Sequence, residues 1–396
     1  MAVGPDRWTA QDEGVRMTTT VPSTGTVPST GTVPSTGTFP STGNAFPTKS
    51  TGPALPAVGP ELAGGDGVRR GLVLGAGGVL GAAWTVGALA ALEASTGWDP
   101  RQAEVVVGTS AGSVLAAFLG LGVDTAQLAN HQRGVVGDGD LSVAYDYDGQ
   151  APLPPRPQFG RLGSRELLRR TARHPLRVPP LAAVASLLPP GRGSIRAVGD
   201  LIDAVGAEVA TRAPRPRNAA EDWPSVPTPW IVTMDYDSGR RVVFGREGSP
   251  QARLAEAVTA SCSIPAWYEP VTISGRRYID GGTCSATSAD LLAPLGLDEV
   301  IVLAPMASFA YDRPRGAAAR IERGVRRTTT KRLFREAAKL RATGTRVTML
   351  GPGPEDLQTI GVNLMDSRRR LRVFETSLRT STAALAGLEP LAVAGR

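Results

Sequence analysis

Residues 103–122 read "AEVVVGTSAGSVLAAFLGLG": a short apolar run, a serine two residues from a glycine on either side, then a second apolar stretch. The three valines predict a buried strand, and the Ala/Leu/Phe run after Gly112 predicts a helix. Residues 69–95, "RRGLVLGAGGVLGAAWTVGALAALEAS", repeat the order as a strand at 71–74, a glycine-rich turn and a helix from about Ala82. Two strand–turn–helix units in succession build a parallel sheet covered by helices. The expected class is therefore α/β.

Later segments extend the pattern. "PWIVTMDYDSGRRVVFG" (229–245) reads as a hairpin turning at Asp237-Ser-Gly. "SPQARLAEAVTASCSIP" (249–265) has a serine cap and helical spacing up to Pro265. "RRYIDGG" (276–282) ends a strand in a tight turn, and "DEVIVLAPMAS" (298–308) is a further buried strand.

The folded part is expected to span 68–396. Before it, "VPSTGT" occurs at 21–26, 27–32 and 33–38, followed by "FPSTG" from Phe39. A period of six in Pro, Ser, Thr and Gly buries almost nothing, so residues 1–67 are expected to be a disordered tail. Residues 138–229 are rich in proline and arginine, with helical pieces near 165–171 and 194–211. They read equally as a lid or cleft wall and as a loosely packed insertion. Residues 313–346 hold twelve Lys/Arg against Glu322 and Glu336 in a helical pattern. That segment is either a basic surface helix touching anionic lipid or a solvated helix coloured by arginine bias.

The net charge of +7 would suit an anionic partner. However, only Lys49, Lys331 and Lys339 are lysines among 43 basic residues, as an Arg-rich composition alone would give. Nucleic-acid binding is not expected. Cys262 and Cys284 are too few for a disulfide framework or a four-ligand metal site, and both read as small buried residues. The opening "MAVGPDRWTAQDEGVRM" lacks the apolar core of a signal peptide. The apolar stretch "VLGAAWTVGALAAL" is shorter than the roughly 20 residues that cross a bilayer. The expectation is a soluble, cytoplasmic protein, with peripheral membrane contact left open.

A serine needs help to act as a nucleophile. Gly-x-Ser-x-Gly at 108–112 lets a strained strand-to-helix turn present Ser110, with the following helix directing its amides at it. A Ser-His-Asp triad needs a histidine, and the chain has only His131 and His174, neither well placed: one in "LANHQRG", one in the proline-rich insertion. A carboxylate held against the hydroxyl does the same work. Asp280, in "YIDGGTCSA", sits at a strand end and would be ionised at neutral pH. Taken alone, Asp-Gly-Gly is ordinary turn chemistry.

The third piece is "GAGGVLG" at 75–81, whose successive N–H groups can form an anion nest. A dinucleotide site would need glycine where Leu80 stands, and an acidic residue closing the second strand, which instead ends in "GTSAG". A tetrahedral oxyanion is the preferred occupant.

Glycine-rich loop, Gly-x-Ser-x-Gly and Asp-Gly-Gly, in that order, resemble the patatin-like phospholipase family. The resemblance spans roughly residues 69–310, with the Pro/Arg-rich insertion unmatched. It implies a three-layer α/β/α fold with a mainly parallel sheet, and hydrolysis of lipid acyl esters without a metal or cofactor. By position it makes Ser110 the nucleophile and Asp280 the general base. Backbone amides of Gly77 and Gly78, with that of Ala111, would stabilise the oxyanion. Gly75, Gly81, Gly108, Gly112, Gly281 and Gly282 complete the motifs. The family loop usually carries glycine where Ala76 stands and Arg or Lys where Leu80 stands. The missing cation opens the choice to neutral or short-chain esters. Two further readings stand beside hydrolysis: transfer of the acyl group to an alcohol or lysolipid, and a non-catalytic lipid-surface protein.

Overall fold

The chain divides into two units, 1–55 and 56–396. The computed structural model describes residues 67–142 (except 136, 138 and 139), 163–212 (except 175–177), 217–218, 223–309, 314 and 316–387. Apart from Gly67, the expected disordered tail 1–67 lies outside the described residues.

The strands are β1 (Arg70–Leu74), β2 (Val105–Thr109), β3 (Arg217–Asn218), β4 (Trp223–Pro224), β5 (Thr228–Asp235), β6 (Arg241–Phe244), β7 (Val271–Ile273), β8 (Arg276–Asp280), β9 (Glu299–Leu303) and β10 (Arg346–Leu350). The first five helices are α1 (Gly78–Thr96), α2 (Ala111–Leu121), α3 (Thr125–Arg133), α4 (Arg165–Arg173) and α5 (Pro180–Leu187). They are followed by α6 (Arg196–Arg212), α7 (Leu254–Ser261), α8 (Ala317–Ala342), α9 (Pro354–Ile360) and α10 (Arg370–Ala386). Strands β10, β9, β1, β2 and β5 run parallel, while β6, β7 and β8 extend the sheet in antiparallel pairs. The fold is a mainly parallel α/β sheet flanked by helices.

Both faces of the sheet are covered, which is why its strands read as continuous apolar runs. Leu72, Leu74, Val106, Ile301 and Leu303 point into one core, shared with α1, α2, α7 and α10. Val73, Val105, Val107, Val300 and Val302 point into the other, closed by residues 289–297 and by Leu333 and Leu340 of α8. The two-residue alternation of strand side chains thus makes three layers.

Helix α1 begins at Gly78, four residues before the expected start, because Gly81 N–H already makes the first helical bond to Gly77 O at 2.9 Å. Its 19 residues are long and apolar enough to cross a membrane by composition, but Leu80, Trp84, Leu89 and Leu92 are buried in the core. Helix α7 begins at Leu254 and is not capped by Ser249, whose N–H instead closes a turn on Arg246 O. Arg253 takes the capping position, its N–H donating to Glu256 Oε2 at 3.2 Å. Helix α8 stops at Ala342, since Arg346 opens β10. The described part of 138–229 holds three helices besides the short antiparallel pair β3–β4 and the start of β5: α5 packs against residues 281–283, and α6 against α2 and α7.

Candidate active site

Strand β5 positions the site. Its residues Ile231–Met234 pair with β6 on one edge, so β2 and β8 must share the other. There β2 ends with Thr109 opposite Val232, and β8, running the other way, ends with Asp280 opposite Thr233. Two residues 170 apart in the chain are thereby brought side by side along one edge of β5, where the Ser110 hydroxyl acts to hold the Asp280 carboxyl down.

Ser110 stands between β2 and α2 with φ +53° and ψ −125°. A side chain in such backbone costs about 1–3 kcal/mol and persists only where its surroundings over-determine it. Here its N–H donates to Ser261 Oγ at 2.9 Å. Its carbonyl accepts from Ser113 N–H at 2.7 Å and from Ser113 Oγ at 2.6 Å. Gly112 lets the first turn of α2 press on the end of β1: a Cβ there would fall 2.1 Å from Leu74 O. Ser110 is 7% exposed.

Asp280 is buried, and its N–H donates to Ser263 O at 3.0 Å. Burial pushes its carboxyl up to about 6, against the opposing pull of hydrogen bonds from the Ser110 hydroxyl and the Gly282 N–H, the latter at 2.7 Å. The group is thus a stronger proton acceptor than an exposed aspartate while remaining mostly ionised at neutral pH. Burial, with the neighbouring Asp280 charge, drives the Cys262 thiol up to about 12, so this cysteine stays protonated and unreactive. Cys284 is likewise buried, with its thiol pushed up to about 11.

The glycine loop closes the third side. Gly75 N–H is anchored to Leu303 O at 2.9 Å and Ala76 N–H to Ala286 O at 2.8 Å. The N–H groups of Gly77, Gly78 and Ala111 make no hydrogen bond among the described residues, and no side chain caps α2. A Cβ on Gly282 would lie 3.5 Å from Ala76 Cβ, which sets the loop beside the Asp-Gly-Gly turn. Spare amides in a loop beside the Asp-Gly-Gly turn, and a helix N-terminus starting just after Ser110, are the kind of donors a developing oxyanion requires. Leu80 is buried in the core, so this chain offers a ligand no cation from that position.

The histidines stand apart from this arrangement. His131 belongs to α3, which packs on α1 and α10, and His174 caps α4 beside a cleft of about 630 Å³ lined by Asp235, Asp237 and Arg276. The residues that sequence reading overlooked are Ser261 and Ser113, which hold Ser110, and Arg326, which supports the loop from behind. A helical serine or arginine carries no local signal of such a role; only the tertiary contact reveals it.

A family model described as "Patatin-like phospholipase" matches residues 72–293, more than half of the chain. Among solved structures, VipD from Legionella pneumophila is similar at 13% identity and a TM-score of 0.37, covering 80% of this chain and 67% of that one. The type III effector protein ExoU is similar at 18% identity and a TM-score of 0.32, covering 79% of this chain and 53% of that one. The chain thus spans about two thirds of the first and about half of the second.

Proposed function

Because the chain belongs to the patatin-like phospholipase family, we propose that it hydrolyses lipid acyl esters through a Ser110–Asp280 pair. Ser110 Oγ attacks the ester carbonyl while Asp280 takes the hydroxyl proton. The carbonyl oxygen, now negative, is held by the amides of Gly77, Gly78 and Ala111. As the tetrahedral intermediate collapses, the alcohol leaves with the proton that Asp280 accepted, and the acyl group stays on Ser110. Asp280 then takes a proton from water, whose oxygen attacks the acyl-enzyme; the carboxylic acid is released and Ser110 regains its proton.

The observation that carries this reading is the meeting of β2 and β8 on one edge of β5, which sets a strained serine against a buried carboxylate. The absence of a cation at Leu80 favours esters whose recognition does not depend on a phosphate contact in that loop. Ser110→Ala and Asp280→Asn are each expected to abolish turnover of p-nitrophenyl acyl esters while keeping the fold. Full activity in Asp280→Asn would remove the dyad, and failure of Ser110 to label with a fluorophosphonate would remove the nucleophile.

A further inference from the structure

Helix α5 carries apolar side chains on both of its faces. Ala182 and Ala185 are buried with Ile279 and Cys284, which bracket the Asp280 turn. On the opposite face Leu181, Val184 and Leu187 are 50%, 50% and 57% exposed, and Leu188 continues the strip. Ser186, the helix's hydroxyl residue, is turned inward onto Ala183 O at 2.6 Å. Among the described side chains of α5, every one facing outward is aliphatic.

A second exposed apolar side chain stands on a segment tied to the chain that leaves α5. Trp267 is exposed in the turn after α7, where Ala266 holds φ +67°, a conformation costing about 1–2 kcal/mol in a residue with a Cβ. The chain leaving α5 is tied to it: Gly193 N–H donates to Trp267 O, and Glu269 N–H to Gly193 O, both at 2.9 Å. Both apolar groups therefore rise from segments that also hold Asp280, since Ser263, just before this turn, accepts the Asp280 N–H.

The surrounding charge says what the strip meets. Arg165, Arg170 and Arg173 lie on α4, which packs on α5; Arg192 and Arg196 follow α5. None of the five makes an ion pair among the described residues, whereas Arg169 is paired with Glu166 at 3.6 Å. Arg170 and Arg173 share a cleft with Glu166, Asp235 and Asp237, whereas Arg165, Arg192 and Arg196 are not among its lining. Aliphatic side chains and a tryptophan near guanidinium groups that make no ion pair match an interface with acyl chains below and anionic headgroups above. A second copy of the same face would set arginine against arginine.

We propose that the α5 strip with Trp267 docks on an anionic lipid bilayer. Docking holds the Asp280 turn at the surface that supplies the lipid ester; that consequence, though not the docking, rests on the acyl-hydrolase reading above.

The test uses the full chain carrying Ser110→Ala, so that vesicles stay intact, mixed with phosphatidylcholine vesicles with or without phosphatidylglycerol. The expected result is co-sedimentation with the anionic vesicles. Val184→Asp/Leu187→Asp should weaken it at least about tenfold. Arg173→Ala/Arg192→Ala, or added salt, should weaken it several-fold. No binding by the parent, or equal binding by the Val184/Leu187 variant, overturns the proposal, as does self-association by this face without vesicle binding. If the Val184/Leu187 variant loses its unfolding transition, the arginine variant decides, and undiminished anionic binding there overturns it. Turnover of soluble esters by the unmutated chain without vesicle binding removes docking alone; vesicle binding by a chain inert to every ester removes the hydrolase reading alone.

Discussion

The backbone N–H of Ser110 donates to Ser261 Oγ at 2.9 Å, and that hydroxyl donates in turn to Val232 O at 2.7 Å. The relay joins the end of α7 to the strand on which β2 and β8 meet, and it spans the residue whose backbone is strained. Ser261→Ala leaves the Ser110 N–H without its buried acceptor, which is expected to cost about 1–3 kcal/mol of stability. Because the hydroxyl fixes the angle of Ser110, kcat should fall about tenfold or more while KM changes little. An unfolding curve and steady-state kinetics on a soluble ester check both; a drop in stability with kcat intact would make Ser261 a packing residue only.

The pH dependence follows from Asp280. With its carboxyl at about 6 in the folded chain, the deprotonated base accumulates as pH rises, so kcat/KM should climb through an apparent pKa near 6 and level off above it. The folded state binds this proton more tightly than the unfolded chain does. The contribution of Asp280 to stability is therefore best at low pH, declines between about pH 4 and 6, and stays unfavourable above. Asp280→Asn should be inactive yet more stable than the parent by about 1–3 kcal/mol at pH 8, with the difference vanishing near pH 4. Equal stability of the two at both pH values would show that the carboxylate is not held in its raised state.

Two motif glycines should behave in opposite ways. A Cβ on Gly112 would lie 2.1 Å from Leu74 O, and backbone there cannot withdraw without unpairing β1. Gly112→Ala should cost about 3 kcal/mol or more, or prevent folding. At Gly81 the nearest atom to an added Cβ is Pro305 Cβ at 3.4 Å, an ordinary contact, and the residue lies in helix α1. Gly81→Ala should be within about 1 kcal/mol of the parent, on the stabilising side if helix propensity dominates. Thermal unfolding of the two variants tests the pair.

This contrast bears on how much the sequence discloses. Strands buried on both faces and turns built on glycine have local signatures, so β1, β2, β5, β8 and β9 and the segments holding Ser110 and Asp280 are legible before any coordinates. Helix starts are less so: α1 begins inside the glycine loop because its first bond is made by Gly81, and α7 begins four residues past its proline. Nothing local marks α5 as a helix apolar all round, or marks the buried half of α8. The juxtaposition of Ser110 with Asp280 depends on two registers along one edge of β5, a long-range fact that motif order suggests but spacing does not determine. Ser261 and Arg326 act at the end of such registers, which is why no pattern points to them.

Arg326 is fully buried in the most basic helix of the chain. Its guanidinium pairs with Glu322 and donates to Pro305 O and to Ala307 O, the latter at 3.3 Å. The Pro305 ring in turn backs the glycine loop: added Cβ atoms on Gly75, Gly77 and Gly81 would all meet it at 3.0–3.4 Å. α8 is therefore not simply a solvated basic helix, since its buried arginine braces the loop that offers the Gly77 and Gly78 amides. Arg326→Met removes the brace and leaves both carbonyls without this donor, while Glu322 keeps only Arg323, at an expected cost of about 2–4 kcal/mol. Arg326→Lys should recover only part of this, because one ammonium cannot reproduce a fork spanning Glu322 and two carbonyls. If the brace matters to the loop, kcat should fall in both variants while substitution of the exposed Lys331, one turn further along α8, leaves it unchanged. Loss of stability without loss of kcat would confine Arg326 to anchoring α8.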